Sequence, residues 1–551
     1  MGRPVPERSW NTQERLHRSD LQRFLRSGGR RPYPSAMPRR LCLALLILCV
    51  PLAGCGGSSA SGGDDPASAV PANASIYLDA TLRPEGSLRE DALAAAGKVL
   101  RTSDPQGEID ELVRKAFAES EDPQLDYERD VAPWLGEKVA LWVAATSGEE
   151  DFRGAVIAAA TDEEEARAAL DRAVEGSDET FGERTYEDVD YRASSESAVG
   201  IVEGFAVIGT EPEFKRTVDA VKGDGLDSSE RFERALGGLE EKRLGTFFVD
   251  VKAVVDQAVR QDPEAAEQLQ QAKRLFPFDR IGPVAGAFVA DGERLAVDTV
   301  AELPEDVLPG ALGGDGSTPL VGELPGDSWV ALGTPDFGTT MKAFYEQAVG
   351  ALGGAAIEQQ LRQELGLDLQ EDVFSWVGDI AFFARGTTMD AIDGGAVIEV
   401  TDPGRAEAAF GKLIGLAQSR GGVSARPVEV EGAETAFEVA APGSPKPVVA
   451  ARSDDRVVIA AGREAAAAAF GGGERLADSP LYADGKSVLG DAGEPSFLLS
   501  MPAVLELVEA SGSADADFAK AKPYLEAFGV LAAGSSRDGD TARARGAATL
   551  R

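Results

Sequence analysis

The 551-residue chain reads as an α+β protein of two tandem, internally duplicated halves, each a mainly antiparallel sheet with packed helices. Three features carry that reading. Short β-branched runs are broken by Gly and Asp, the marks of strands and tight turns. Ala-rich amphipathic runs fall between them without the strict alternation of a parallel doubly wound sheet. A set of segments also recurs in constant order about 240–254 residues apart, the signature of a repeat.

The first element is not part of that fold. Residues 41–54 (LCLALLILCVPLAG) are uncharged and follow Arg39 and Arg40. A basic start, a short apolar run and small residues at its end make a secretory signal. Fourteen residues at about 1.5 Å rise are too few to cross a hydrocarbon core of about 30 Å. Leu52, Ala53, Gly54 and Cys55 resemble a bacterial lipobox, in which the Cys thiol takes a diacylglycerol and becomes the first residue after cleavage. Gly- and Ser-rich residues then read as a flexible tether over 55–70. Residues 1–36 are Arg-rich and unusually long for what precedes a signal, so Met37 is the expected start and 37–54 the signal peptide.

Removing residues 1–54 takes away ten arginines and three acids, and the net charge falls from −38 to −45. Such an excess argues against a nucleic-acid binder, which needs basic side chains to replace phosphate counterions. It also argues against a protein body lying on an anionic membrane. His17, the one histidine, and two of the three cysteines, Cys42 and Cys49, leave with the N-terminus. Lipidation uses the third. The remaining chain can build no Ser-His-Asp or Cys-His pair and no His/Cys metal or haem site. No catalytic residue, metal ligand or cofactor is therefore assigned, and the ligand-binding residues are unknown. Paired carboxylates remain available for glycoside hydrolysis or calcium.

The folded part divides into 71–305, a Pro/Gly-rich linker at 306–319, and 320–551. Each part opens with a strand, Ser75–Ala80 and Ser328–Gly333, followed by one or two amphipathic helices. The pattern D-V-x-x-W-[LV]-G-[DE] then occurs at Asp130–Glu137 and Asp372–Asp379, before apolar strands Lys138–Val143 and Ile380–Ala384. Trp134 and Trp376 read as core anchors beside a Gly turn, and Glu137 and Asp379 as turn formers. Gly154–Ile157 and Gly395–Ile398 are the next strands. Thr161-Asp162 and Thr401-Asp402 open helices, and Asp162–Glu165 suits the positive end of a helix dipole. Phe205–Gly209 and Val457–Gly462 follow, then Thr246–Val251 and Ser496–Met501. Asp291-Gly292 and Asp538-Gly539 are hairpin turns. Lys222–Glu230 misses calcium-loop spacing and reads as a turn, and Gly485-Lys486-Ser487 lacks the first glycine of a P-loop, having Pro480 there.

Pro71–Ala80, Leu88–Leu93, Trp134–Gly136 and Leu244–Val251 together resemble an uncharacterised bacterial family, domain of unknown function 3352. The resemblance implies a secreted or lipid-anchored protein of a high-GC Gram-positive lineage. It brings no active site, so no residue roles are carried over. The expectation is a lipoprotein on the outer face of the cytoplasmic membrane, held by its N-terminal lipid. A non-enzymatic binding or interaction protein of the envelope comes first, its partner a small ligand or an envelope protein and its site a cleft between the halves. A structural or assembly lipoprotein is the alternative, and a carboxylate-based hydrolase the third reading.

Overall fold

The computed structural model describes residues 65–118, 126–144, 153–261, 280–304, 316–352, 354, 358–360, 362–363, 366–419, 424–440 and 446–551. Before residue 305 the strands are β1 (Ala74–Thr81), β2 (Leu135–Ala144), β3 (Gly154–Ala160), β4 (Gly182–Tyr186), β5 (Val189–Ala193), β6 (Ala198–Val202), β7 (Phe205–Gly209), β8 (Gly245–Asp250), β9 (Pro283–Asp291) and β10 (Arg294–Glu302). After residue 316 they are β11 (Ser328–Thr334), β12 (Val377–Arg385), β13 (Asp393–Val400), β14 (Ser424–Pro427), β15 (Thr435–Ala440), β16 (Val448–Arg452), β17 (Arg456–Ala461), β18 (Phe497–Ser500), β19 (Phe528–Asp538) and β20 (Thr541–Leu550).

Pairing links all 20 into one antiparallel sheet. From one end it runs β4, β5, β6, β7, β3, β2, β1, β8, β9, β10. It continues β20, β19, β18, β11, β12, β13, β17, β16, β15, β14. The expected two sheets are therefore one. The reason is the last strand: β20 lies along β10, with Arg294 opposite Thr549 and Glu302 opposite Thr541. Both strands would otherwise present unpaired N–H and C=O groups along an open edge. The two runs of strands are joined through this strand pair.

The helices are α1 (Gly86–Leu100), α2 (Pro105–Ala118), α3 (Glu163–Glu175), α4 (Glu211–Lys222), α5 (Glu230–Leu236) and α6 (Val251–Gln261). Beyond the seam come α7 (Phe337–Leu352), α8 (Pro403–Ser419), α9 (Arg463–Ala469), α10 (Pro480–Leu489), α11 (Met501–Ala510) and α12 (Ala516–Leu525). Strand alternation sends side chains to both faces, and helices pack on both. Around β1–β7 one face carries Tyr77, Trp142, Ile157 and Val207 under α4, α5 and the turn Pro66–Ala69. The other carries Leu135, Val156, Val199 and Ile208 under α3. Around β11–β17, Ala331, Phe383 and Val458 pack with α9 and the helical turn Leu320–Glu323. Trp376, Phe410 and Val457 pack on the opposite side with α8.

Strand positions match the sequence reading within a few residues, and both Asp-Gly pairs connect hairpins, β9–β10 and β19–β20. Asp162 caps α3, accepting hydrogen bonds from the backbone N–H of Glu164 and Glu165 at 3.0 Å each. Parts of two segments read as connectors are docked. Ala67, Ala69 and Val70, inside the expected tether, are buried, and so is Thr318 inside the expected linker. Small apolar residues among Pro and Gly fill gaps against a sheet as readily as they make loops. Residues 305–315 of that linker lie outside the described set.

An ion cluster locks the seam. Arg545 on β20 faces Asp298 on β10, donating from Nε at 2.5 Å and from its terminal nitrogen at 2.8 Å. It also bonds Glu240 at 2.7 Å and the Leu489 carbonyl at 3.0 Å. Arg294 bonds the same Glu240 carboxylate at 2.9 Å, and Asp291 at 2.7 Å. The Arg545 and Asp298 side chains are only 8% and 9% exposed. Removing one partner strands a buried charge. Arg545→Ala should lose about 3–5 kcal/mol, while Arg545→Met with Asp298→Leu should lose much less. Urea unfolding of both variants checks this; equal losses would place the stabilisation in packing instead.

Candidate functional site

The D-V-x-x-W-x-G segments are structural. In each, the Trp Nε1 donates to the carbonyl of the motif Asp four residues back, Trp134 to Asp130 at 2.6 Å and Trp376 to Asp372 at 2.8 Å. Each Asp side chain closes the same turn, Asp130 accepting from Asp126 N at 2.9 Å and Asp372 from Asp368 N at 2.8 Å. Each also takes a cation from the next helix, Arg172 at 3.0 Å and Lys412 at 2.5 Å. The Thr N–H that opens that helix returns to the Trp carbonyl, Thr161 at 2.8 Å and Thr401 at 2.9 Å. Trp134 and Trp376 are buried as core anchors, 5% and 4% exposed. Of the matched acids, the Asp379 carboxylate accepts from Asp336 N, whereas at Glu137 the backbone carbonyl accepts from Leu82 and Arg83. Trp134→Ala should cost about 3–5 kcal/mol in chemical unfolding, through lost packing and an orphaned turn.

A buried acid sits where the chain enters the fold. Asp79, on β1, accepts from the Thr246 N–H at 3.1 Å. Burial pushes its carboxyl up to about 6, against the pull of Lys138. Lys138 also pairs with Asp65, whose carboxylate caps the docked turn Pro66–Ala69. The Tyr77 hydroxyl lies on the same face, raised well above its ordinary value by burial and then by Asp79, and has no partner in hydrogen-bond geometry. Because the folded state favours the protonated acid, this group's contribution is fully present below the ordinary carboxylate range and is lost as pH rises through about 6. Asp79→Asn should therefore stabilise the protein by up to about 3 kcal/mol at pH 7.5 and by little at pH 4. Melting of both proteins from pH 4 to 8 tests this; a gain that ignores pH would contradict the assignment.

A site with room for a ligand lies at one end of the sheet. A cleft of about 500 Å³ opens between α3 and the hairpin β4–β5, with β6 beneath. Hairpin alternation sets its wall. Glu183 pairs across with Arg192, and Thr185 with Asp190, and all four line the cleft. Helical spacing puts Arg167, Leu170 and Asp171 on one face of α3. Leu170 and Val199 are buried apolar floor. Gly200 has no space for a Cβ, which would come within 2.9 Å of Phe214 and Tyr191.

Several of these charges are spent on the frame. Arg192 pairs with Asp171 at 3.0 Å, tying hairpin to helix. Arg184 pairs with Glu211, which also takes the Tyr191 hydroxyl at 2.8 Å and Lys215 at 2.8 Å. Those bonds, Lys215 foremost, hold Glu211 down at about 2, so it stays ionised. Tyr191 in turn stacks on Phe214 at 4.7 Å. Asp190 accepts the Thr185 hydroxyl at 2.7 Å. Arg167 has no ion-pair partner among the described residues. The cleft thus has a braced wall and an uncommitted guanidinium.

Residues 44–544 match the family model described as Protein of unknown function (DUF3352). The chain belongs to this family. The match spans both sides of the seam. No curated protein matches the chain. Among solved structures it is similar to TP0453 in crystal form III, at 12% identity and a TM-score of 0.23, over 44% of this chain and 80% of that one. Crystal form IV gives 12% and 0.23 over 43% and 81%.

The residues singled out for lipidation, Leu52, Ala53, Gly54 and Cys55, lie outside the described residues. Among the described residues no helix is long and apolar enough to cross a membrane. Sequence reasoning did not single out Arg167, Arg192 or Asp190. The one available signal was the hairpin, whose strands Gly182–Tyr186 and Val189–Ala193 carry four charged residues, Glu183, Arg184, Asp190 and Arg192.

Proposed function

We propose that this protein is a lipid-anchored, extracytoplasmic binding protein of the cell envelope that does no covalent chemistry, and that the cleft between α3 and β4–β5 is its ligand site. One observation carries the site: a roomy pocket with an unpaired cation on a frame braced by Asp171–Arg192 and Glu211–Arg184. Pre-organised polar groups over an apolar floor are what small-molecule sites are made of. The anchor rests on the sequence alone, on Cys55 after Leu52-Ala53-Gly54. Two acyl chains on one cysteine would hold the chain stably, where one would not.

The proposal includes an internal duplication. In support, β1–β10 and β11–β20 follow the same pairing order, and the Trp-turn bonds recur at 134 and 376. In this reading the two copies meet through their last strands.

Two experiments test the proposal. Expressed in a host that processes lipoproteins, the full chain should partition into detergent and Cys55→Ala into water. Partition of both into detergent would remove the lipid anchor. For the site, melting of residues 56–551 against calcium, sugars, peptidoglycan fragments, lipids and amino acids should show one class that shifts the midpoint. At 100 times its dissociation constant a ligand adds about 2.7 kcal/mol. Arg167→Ala should abolish that shift and leave the unliganded melt in place.

A further inference from the structure

The cleft's uncommitted charges are of both signs and on opposite walls. On the α3 wall Arg167 stands one helical turn before Asp171, which Arg192 already occupies. On the hairpin wall Glu183 reaches Arg192 only at 4.0 Å and is otherwise open to water. Asp190 holds only the neutral Thr185 hydroxyl. A simple anion drawn to Arg167 would face Glu183 and Asp190. A simple cation drawn to those carboxylates would face Arg167. A molecule with a carboxylate at one end and an ammonium at the other satisfies both walls. Leu170 and Val199 offer apolar surface between them.

The layer at the other end of the sheet shows what the same build looks like without a ligand site. There α8 lies over the hairpin β14–β15, and Phe410 meets Phe437 with ring centroids 6.2 Å apart. Ala425 and Val439 complete an apolar contact. Helix and hairpin close on each other through side chains alone. Under α3 the corresponding surface is charged and stays open.

Resting on the reading of this cleft as the ligand site, we infer that it takes a zwitterionic amino acid or short peptide, its carboxylate on Arg167 and its ammonium on Asp190 and Glu183. The volume of about 500 Å³ lies within the usual range of ligand pockets and leaves room for more than a single small residue.

The test is calorimetric titration of residues 56–551 with L-alanyl-L-alanine, its N-acetyl form and its C-terminal amide. The free dipeptide should bind saturably at one site, and each blocked form at least tenfold more weakly. Arg167→Ala should erase the difference between acid and amide. Asp190→Asn with Glu183→Gln should erase the difference between free and acetylated amine. Both variants should melt like the parent. If the acetylated dipeptide binds as well as the free one, the site is an anion site and the ligand class is overturned while the cleft stands. If the melting panel finds a ligand dependent on Arg167 but no dipeptide binds, the class alone falls. If neither assay shows binding at this cleft, the site falls with it.

Discussion

Arg545 and Asp298 set the register of the strand pair that joins the molecule. They face each other across β10 and β20, strands that are 247 residues apart at that pair and form the junction of a 20-stranded sheet. A buried ion pair gains little over a hydrophobic pair, since desolvation cancels most of the attraction. Its value here is register. Shifting β20 by one residue would turn Arg545 to the other face and leave Asp298 unpaired. Glu240, from the segment after α5, and the carbonyl of Leu489, at the end of α10, then fix the guanidinium plane. So the helical layers on both sides of the junction are oriented by the same side chain.

The candidate cleft depends on that order only indirectly, which suits a binding surface. It sits at the far end of the sheet, on the outermost hairpin, where fewer strands constrain it. Its geometry is instead set locally, by Asp171–Arg192 between layers and by Tyr191 stacked on Phe214 below. Exposed loops and edges carry function when a rigid scaffold positions them. In this fold the scaffold is the apolar stack of Leu135, Val156, Ile208 and Val199 under α3.

Much of the fold was legible in the sequence because strand alternation and Asp-Gly turns act locally. Phe205–Gly209 is the strand it was read to be, and Asp162 caps the helix it was read to open. The tryptophan turns were legible in kind, since a Trp beside Gly before an apolar run has few exposed solutions. Strand pairing over long separations was not legible: nothing in Thr541–Leu550 distinguishes an edge from a partner of β10. Burial was not legible where it depends on which helix leans over which strand. Leu332, Phe382 and Ile459 lie in apolar runs read as strands, yet are 44%, 43% and 45% exposed. The cleft was illegible for a related reason. Arg167 looks like any solvated helix residue until the hairpin opposite it is known to be charged.

The distance in sequence between β10 and β20 has a consequence in time. At roughly 5–20 residues per second of synthesis, the residues between β10 and β20 take on the order of 12–50 s to appear. Through that interval β9 and β10 can form their hairpin, but β10 keeps one bare edge, a template for pairing with a neighbouring chain. The vulnerable period is therefore set by the number of residues between β10 and β20 and not by final stability. A nascent chain stopped at residue 540 would carry two such edges, on β10 and on β19, with the partner of both missing.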